Sequence, residues 1–181
     1  MINTSFQFVG FVTRTGPDQF IPEWEPYAKK LQQKKQEPRL LELTADVKNR
    51  YRYLSKHEWP DGDFNFSFMN KRKSEHFPEL NVQVVQLGGY MPVLPKKKYM
   101  EETEDIRLLA FINHSETDID FYRHLSMVRH LTVYEAYYES CTYGHIIEFV
   151  TREANVEELL LLLEKRPGVT AASYRECTVT A

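Results

Sequence analysis

The chain is short of almost everything that would announce a chemistry. Its 181 residues hold only two cysteines and seven glycines. Cys141 and Cys177 fit no metal-ligand spacing and suit small buried hydrophobes in the sheet of the second half. So few glycines imply a tightly folded chain with little loop. The start, Met1-Ile2-Asn3-Thr4-Ser5, has neither a basic stretch nor an apolar run, so no signal peptide is read there. The longest purely apolar run, Leu159 to Leu163, is far too short to span a bilayer. No membrane association is expected, and a reduced, cytoplasmic setting follows. No catalytic or metal-ligand motif occurs anywhere, and no cofactor is expected.

What is present is an ordinary folded composition, 42% hydrophobic and 27% charged, with aromatics raised to 13%. The net charge of −3 conceals an asymmetry. Residues 1–100 carry 16 Lys+Arg against 11 Asp+Glu, whereas residues 101–181 carry 7 against 15. Such opposition can help two halves or two subunits find each other, and uneven drift of surface charge explains it equally well.

The two halves read alike. In the first, Phe6 to Thr13 is a strand and Asp18 to Lys35 a helix. Phe20, Trp24, Tyr27, Ala28 and Leu31 give that helix one apolar face. Arg39 to Ala45 is extended. Tyr51 to Trp59 and Asp63 to Met69 alternate around Pro60-Asp61-Gly62 and predict a hairpin. A short helix over 71–77 and a strand over 82–87 follow. The second half repeats the plan: a strand at 106–112, a helix at 118–131, a hairpin from 133–141 and 143–151, a helix at 156–165 behind an Asn155 capping box, and a strand at 169–179. The expected organisation is a first unit at 1–91, a linker at 92–105 and a second unit at 106–181.

Strand-helix-strand twice over is the split βαβ, or ferredoxin-like, unit. The fold class is therefore α+β: two tandem ferredoxin-like units with antiparallel sheets. Their helices cover one sheet face, and the other, being so aromatic, must pack on a second sheet. The element order resembles that of the dimeric α+β barrel superfamily, which includes antibiotic-biosynthesis-monooxygenase-like, EthD-like and chlorite-dismutase-like proteins. The resemblance covers nearly the whole chain and implies barrel-type packing, within one chain or across a homodimer that would remove leftover sheet edges.

Alternation along the strands nominates a site. Glu135, Tyr137, Glu139 and Cys141 share one face of their strand and Tyr134, Ala136 and Tyr138 the other, more apolar one. The first set is expected to line the barrel, joined by His145 and by Arg175. There a histidine beside carboxylates would serve as general base, with Glu135 or Glu139 orienting it and Arg175 binding developing negative charge. Cross-strand ion pairing explains the same residues without chemistry. In the first half His57 and Trp59 share a face with Tyr51 and Tyr53, an aromatic wall for a planar ligand or a packing surface.

His124 falls on the apolar side of its predicted helix, and the chlorite-dismutase resemblance makes it the place for a haem iron ligand. His76 and His114 sit at element ends, where turn or cap roles are expected. RNA-recognition domains share the element order, and Tyr143-Gly144-His145-Ile146-Ile147-Glu148-Phe149 begins like their third-strand motif. It has His where an aromatic is needed, however, and the acidic second half opposes a phosphate backbone, so nucleic acid is not an expected partner.

The functional expectation is a module binding a small apolar or aromatic molecule inside the barrel, contacted by His57, Trp59, Tyr137, His145 and Arg175. The alternative is a cofactor-independent monooxygenase-like enzyme using His145, Glu135, Glu139 and Arg175. A purely structural role needs neither.

Overall fold

The computed structural model describes residues 5–33, 37–44, 50–59, 82–93 and 105–177. Eight antiparallel strands close into one barrel in the order β1-β3-β2-β8-β5-β7-β6-β4, with β4 returning to β1. They are β1 (Ser5–Val12), β2 (Glu37–Leu43), β3 (Tyr53–Trp59), β4 (Gln83–Pro92), β5 (Asp105–Ile112), β6 (His130–Ala136), β7 (His145–Arg152) and β8 (Val169–Glu176). Among the described residues three α-helices lie outside: α1 (Pro17–Gln33), α2 (Asp120–Arg123) and α3 (Val156–Glu164). Going round the ring, each half contributes its fourth, first, third and second strand in that order. The sheet thus closes within a single chain, and every strand has a neighbour on both sides.

Two layers of apolar packing explain why so many strands are buried on both faces. Inside the barrel lie Phe6, Phe8, Leu54, Tyr90, Leu109, Phe111, Tyr134, Ile146 and Tyr174. An eight-stranded barrel has an interior just wide enough for side chains to fill, and these rings fill it. Outside the first half, Phe20, Trp24, Tyr27, Ala28 and Leu31 of α1 press on Val9, Phe11, Leu40 and Tyr53, with Phe20 stacked on Tyr53 at 3.9 Å. That face carries α1 through Pro22 and Pro26, although an interior proline costs a helix about 3 kcal/mol. Outside the second half, Leu159 and Leu163 of α3 and Tyr122 of α2 cover Leu108, Ala110, Val133, Ile147 and Phe149.

Several expectations need correction. The helix predicted over 118–131 is only four residues long. Phe121 of that short helix, and Leu125 and Val128 in the irregular chain after it, still pack on the sheet. From His130 the backbone is taken by pairing with β7, His130 opposite Val150. Strand β6 therefore begins and ends earlier than expected, and the connection 137–144 is a loop. Strand β4 runs past its expected end through Gly88-Gly89. Gly88 has φ 115° beside a register shift at Phe8/Val9, a backbone open to glycine alone at no cost. Asn155 makes no side-chain capping bond, a 3-10 turn over Glu153–Asn155 taking its place. The return strand expected over 63–69, its turn and the helix over 71–77, with His76, lie outside the described residues, as does most of 92–105.

Among the described residues no helix is long and apolar enough to cross a membrane.

Candidate functional site

The phase of the strands is the opposite of the expected one. On β6 it is Tyr134, with Ala136 packed beside it, that faces the barrel core, while Val133 joins the outer layer. On β7 Ile146 points in and Ile147 and Phe149 point out, and on β8 Ala172 and Tyr174 point in. Glu135, His145 and Arg175 therefore project outward. The physical reason is that the barrel interior is as apolar as the helix-covered layer, so greater apolarity does not mark the helix side.

Outside the barrel, four of the nominated residues do come together. Glu135, Tyr137, Glu139 and His145 line an open cleft of about 470 Å³ with His114, Glu116, Thr117, Ile119, Ala136, Tyr138 and Gly144. One wall is the turn after β5, the other the 137–144 connection, and α2 is too short to cover the gap. Backbone bonds fix both walls to strands: Asn113 N–H donates to Gly168 O at 2.9 Å, Tyr137 N–H to Gly89 O at 3.0 Å, Thr142 N–H to Leu87 O at 3.0 Å, and Gly144 N–H to Ile112 O at 2.8 Å. His114 Nε2 lies 2.8 Å from Cys141 O, so that nitrogen carries the proton and ties wall to wall. Gly144 permits this approach, because a Cβ there would lie 3.1 Å from His114 Cα.

His145 and Glu135 face each other across β6 and β7. Burial pushes the His145 imidazole below its ordinary value, Glu135 pulling it up and His114 adding to the fall. Its Nδ1 is buried, with no hydrogen-bond partner among the described residues. No hydrogen bond joins it to Glu135 or Glu139 among the described residues, so Glu135 biases the ring's charge without orienting it. Glu116 is committed elsewhere: Arg166 reaches it at 2.9 Å from Nη2 and 3.0 Å from Nε, and holds its carboxyl below the usual range.

The other nominated residues stand apart. Arg175 is on the exterior of β8 with its Nη2 2.8 Å from Glu42. His57 is fully buried beneath α1, with Ser55 Oγ at 3.1 Å and Tyr27 OH at 3.3 Å from Nε2; desolvation drives its pKa down to about 3. Trp59 ends β3, and its side chain is outside the described residues. His124 is exposed at the C-terminal end of α2.

One constellation escaped the sequence reading. Inside the barrel Lys56 Nζ donates to Tyr134 OH at 2.9 Å and to Glu148 at 3.3 Å, and Arg107 meets Glu148 at 3.0 Å. Lys56 also lies 5.1 Å and 5.2 Å from the Phe6 and Tyr134 ring centres. Burial would raise the Glu148 carboxyl, but Lys56 and Arg107 outweigh it and hold it below its usual range. The available signal was a lone charge in the apolar run Ile146 to Val150, which marks a paired buried ion.

No protein-family model and no curated protein matches the sequence. Solved structures do match. A mutant chlorite dismutase from Candidatus Nitrospira defluvii superposes with a TM-score of 0.55 at 9% identity, over 96% of this chain and 92% of its own. The same enzyme in complex with imidazole gives 0.53 at 10% identity, over 96% and 92%. A mutant in complex with cyanide gives 0.53 at 11%, over 96% and 91%. The likeness is one of fold. It establishes a chlorite-dismutase-like α+β barrel and carries no residue roles across.

A haem on His124 does not fit these residues. The layer between helices and sheet is filled by the fully buried Tyr122, Ile147, Phe149, Leu159 and Leu163, and His124 lies exposed outside it.

Proposed function

We propose that the chain is a binding module for a small, flat, largely apolar molecule, held in the outer cleft rather than in the barrel interior. The observation that carries this is the pairing of a packed barrel with an open, aromatic-edged hollow of about 470 Å³. Tyr137, Tyr138 and Ile119 supply apolar surface, and His145 and Glu135 supply polar groups that can fix orientation. The monooxygenase-like alternative asks for a histidine held by a carboxylate with Arg175 at hand. Here His145 has no such bond and Arg175 is engaged by Glu42. The two halves are read as tandem ferredoxin-like units over 1–91 and 106–181. Because the sheet closes in one chain, a homodimer would form through a surface other than a sheet edge, and native mass spectrometry reports both that state and any retained molecule.

Indole, neutral and planar, is a suitable probe. Titrated into isotope-labelled protein, it is expected to give saturable amide shifts confined to residues 114–119 and 135–145, and Tyr137→Ala should weaken them. Saturable shifts centred on the barrel interior, or no saturation with indole or its amine derivative, would overturn the reading.

A further inference from the structure

We infer that the cleft selects a cation, an amine carried on a flat apolar body, in preference to a neutral or anionic molecule of the same shape; this rests on the cleft being the binding site. Its lining holds three carboxylates, Glu116, Glu135 and Glu139, and among the described residues no lysine or arginine. Arg166 answers Glu116 from outside the lining. Glu135 and Glu139 are exposed and have no ion-pair partner among the described residues, so their charge is directed at whatever enters. Burial disfavours the charged form of His145, whose Nδ1 has no hydrogen-bond partner among the described residues, and His114 is tied through its Nε2 proton to Cys141 O rather than aimed at the carboxylates.

Two further features favour a cation. The Tyr137 and Tyr138 rings, 5.8 Å apart at 39°, present π surface at the cleft rim, and a ring face attracts a positive charge. The surrounding half of the chain, residues 101–181, carries 15 acidic against 7 basic residues. That field concentrates cations near the opening and repels anions. An ammonium near Glu135 and Glu139 with an aromatic body against Ile119 and Tyr138 pairs both carboxylates and covers the apolar part of the lining. A carboxylate in the same place would face two like charges.

The test uses three probes with one ring system: indole, tryptamine and indole-3-acetate, titrated into the full chain at low salt. Tryptamine is expected to bind about tenfold tighter than indole-3-acetate, a margin that shrinks in high salt. Glu135→Gln and Glu139→Gln should each weaken tryptamine about two- to fivefold, more than either changes indole, the usual scale for an exposed charge pair. Glu157→Gln, an exposed change on α3 away from the cleft, should leave all three unchanged, which separates local from overall charge. If indole binds in the cleft and tryptamine binds no better than indole-3-acetate, the cation preference is overturned and the binding site survives. If Glu157→Gln weakens tryptamine as much as the cleft variants do, the selection is by overall charge and the inference fails. If none of the three binds, both readings fall.

Discussion

Each half of the barrel carries a histidine on the outward face of its third strand, and the two live in opposite surroundings. His57 on β3 is sealed beneath α1, a helix of 17 residues, and its Nε2 is shared between Ser55 and Tyr27. His145 on β7 lies in the open cleft, because α2, the helix in the corresponding place, has only four residues. The difference teaches that the length of the covering helix decides what a polar strand residue can do. A long helix turns it into a packed part of the core. A short one leaves it at the surface of a hollow, where a ligand can reach it.

Removing the seal should have the largest effect. Trp24→Ala deletes a fully buried ring from α1 and should cost about 3–5 kcal/mol, read from urea denaturation. A loss below about 1 kcal/mol would mean that α1 does not hold that face shut.

Acidification should separate the histidines next. Folded, His57 stays neutral down to about 3, whereas in the unfolded chain it takes a proton below its ordinary 6.5. The unfolded state then binds more protons, so stability falls as pH drops from 6.5 towards 3, by up to about 1.4 kcal/mol per pH unit. His145, also lowered, acts in the same direction over a narrower range. Between pH 6.5 and 5, where most carboxylates stay ionised, His57→Gln should remove most of the slope and His145→Gln less. Equal flattening by both would erase the contrast.

The smallest effect belongs to the open side. Tyr138 is 46% exposed at the cleft rim. Tyr138→Ala should change stability by no more than about 0.5 kcal/mol while weakening probe binding. A large loss of stability would show that the rim is structural.

Much of this contrast was legible in the residues, and its key element was not. The apolar face of α1, from Phe20 to Leu31, and the Pro167-Gly168 stop after α3 stand where periodicity puts them. So do the β-rich runs of β1, β3, β5 and β7. The phase of those strands was hidden because both faces are buried: Ile146 and Ile147 are equally apolar, one in the barrel and one under the helices. Read with the wrong phase, Glu135 and His145 still converged, since residues opposite each other on paired strands share a face whichever way it points. The shortness of α2 was hidden for another reason. Phe121, Leu125 and Val128 have helical spacing, but Leu125 and Val128 reach the sheet from irregular chain after α2, and β6 pairing claims the backbone from His130.

The ring of strands is not equally strong all round. Within each half, neighbouring strands pair over six to eight residues, as in the eight between β5 and β7. The two joints between halves are shorter: β2 meets β8 at Leu41, Glu42 and Leu43, and β4 meets β6 at Tyr90, Met91 and Pro92. One joint is reinforced by Glu42, whose buried carboxylate grips Arg175 from across it. The other is reinforced by Cys141 and Tyr137 bonding to Gly89. These joints are the shortest pairings in the ring. Amides there should exchange with solvent before those of β5 and β7, because fewer ladder bonds must break to expose them.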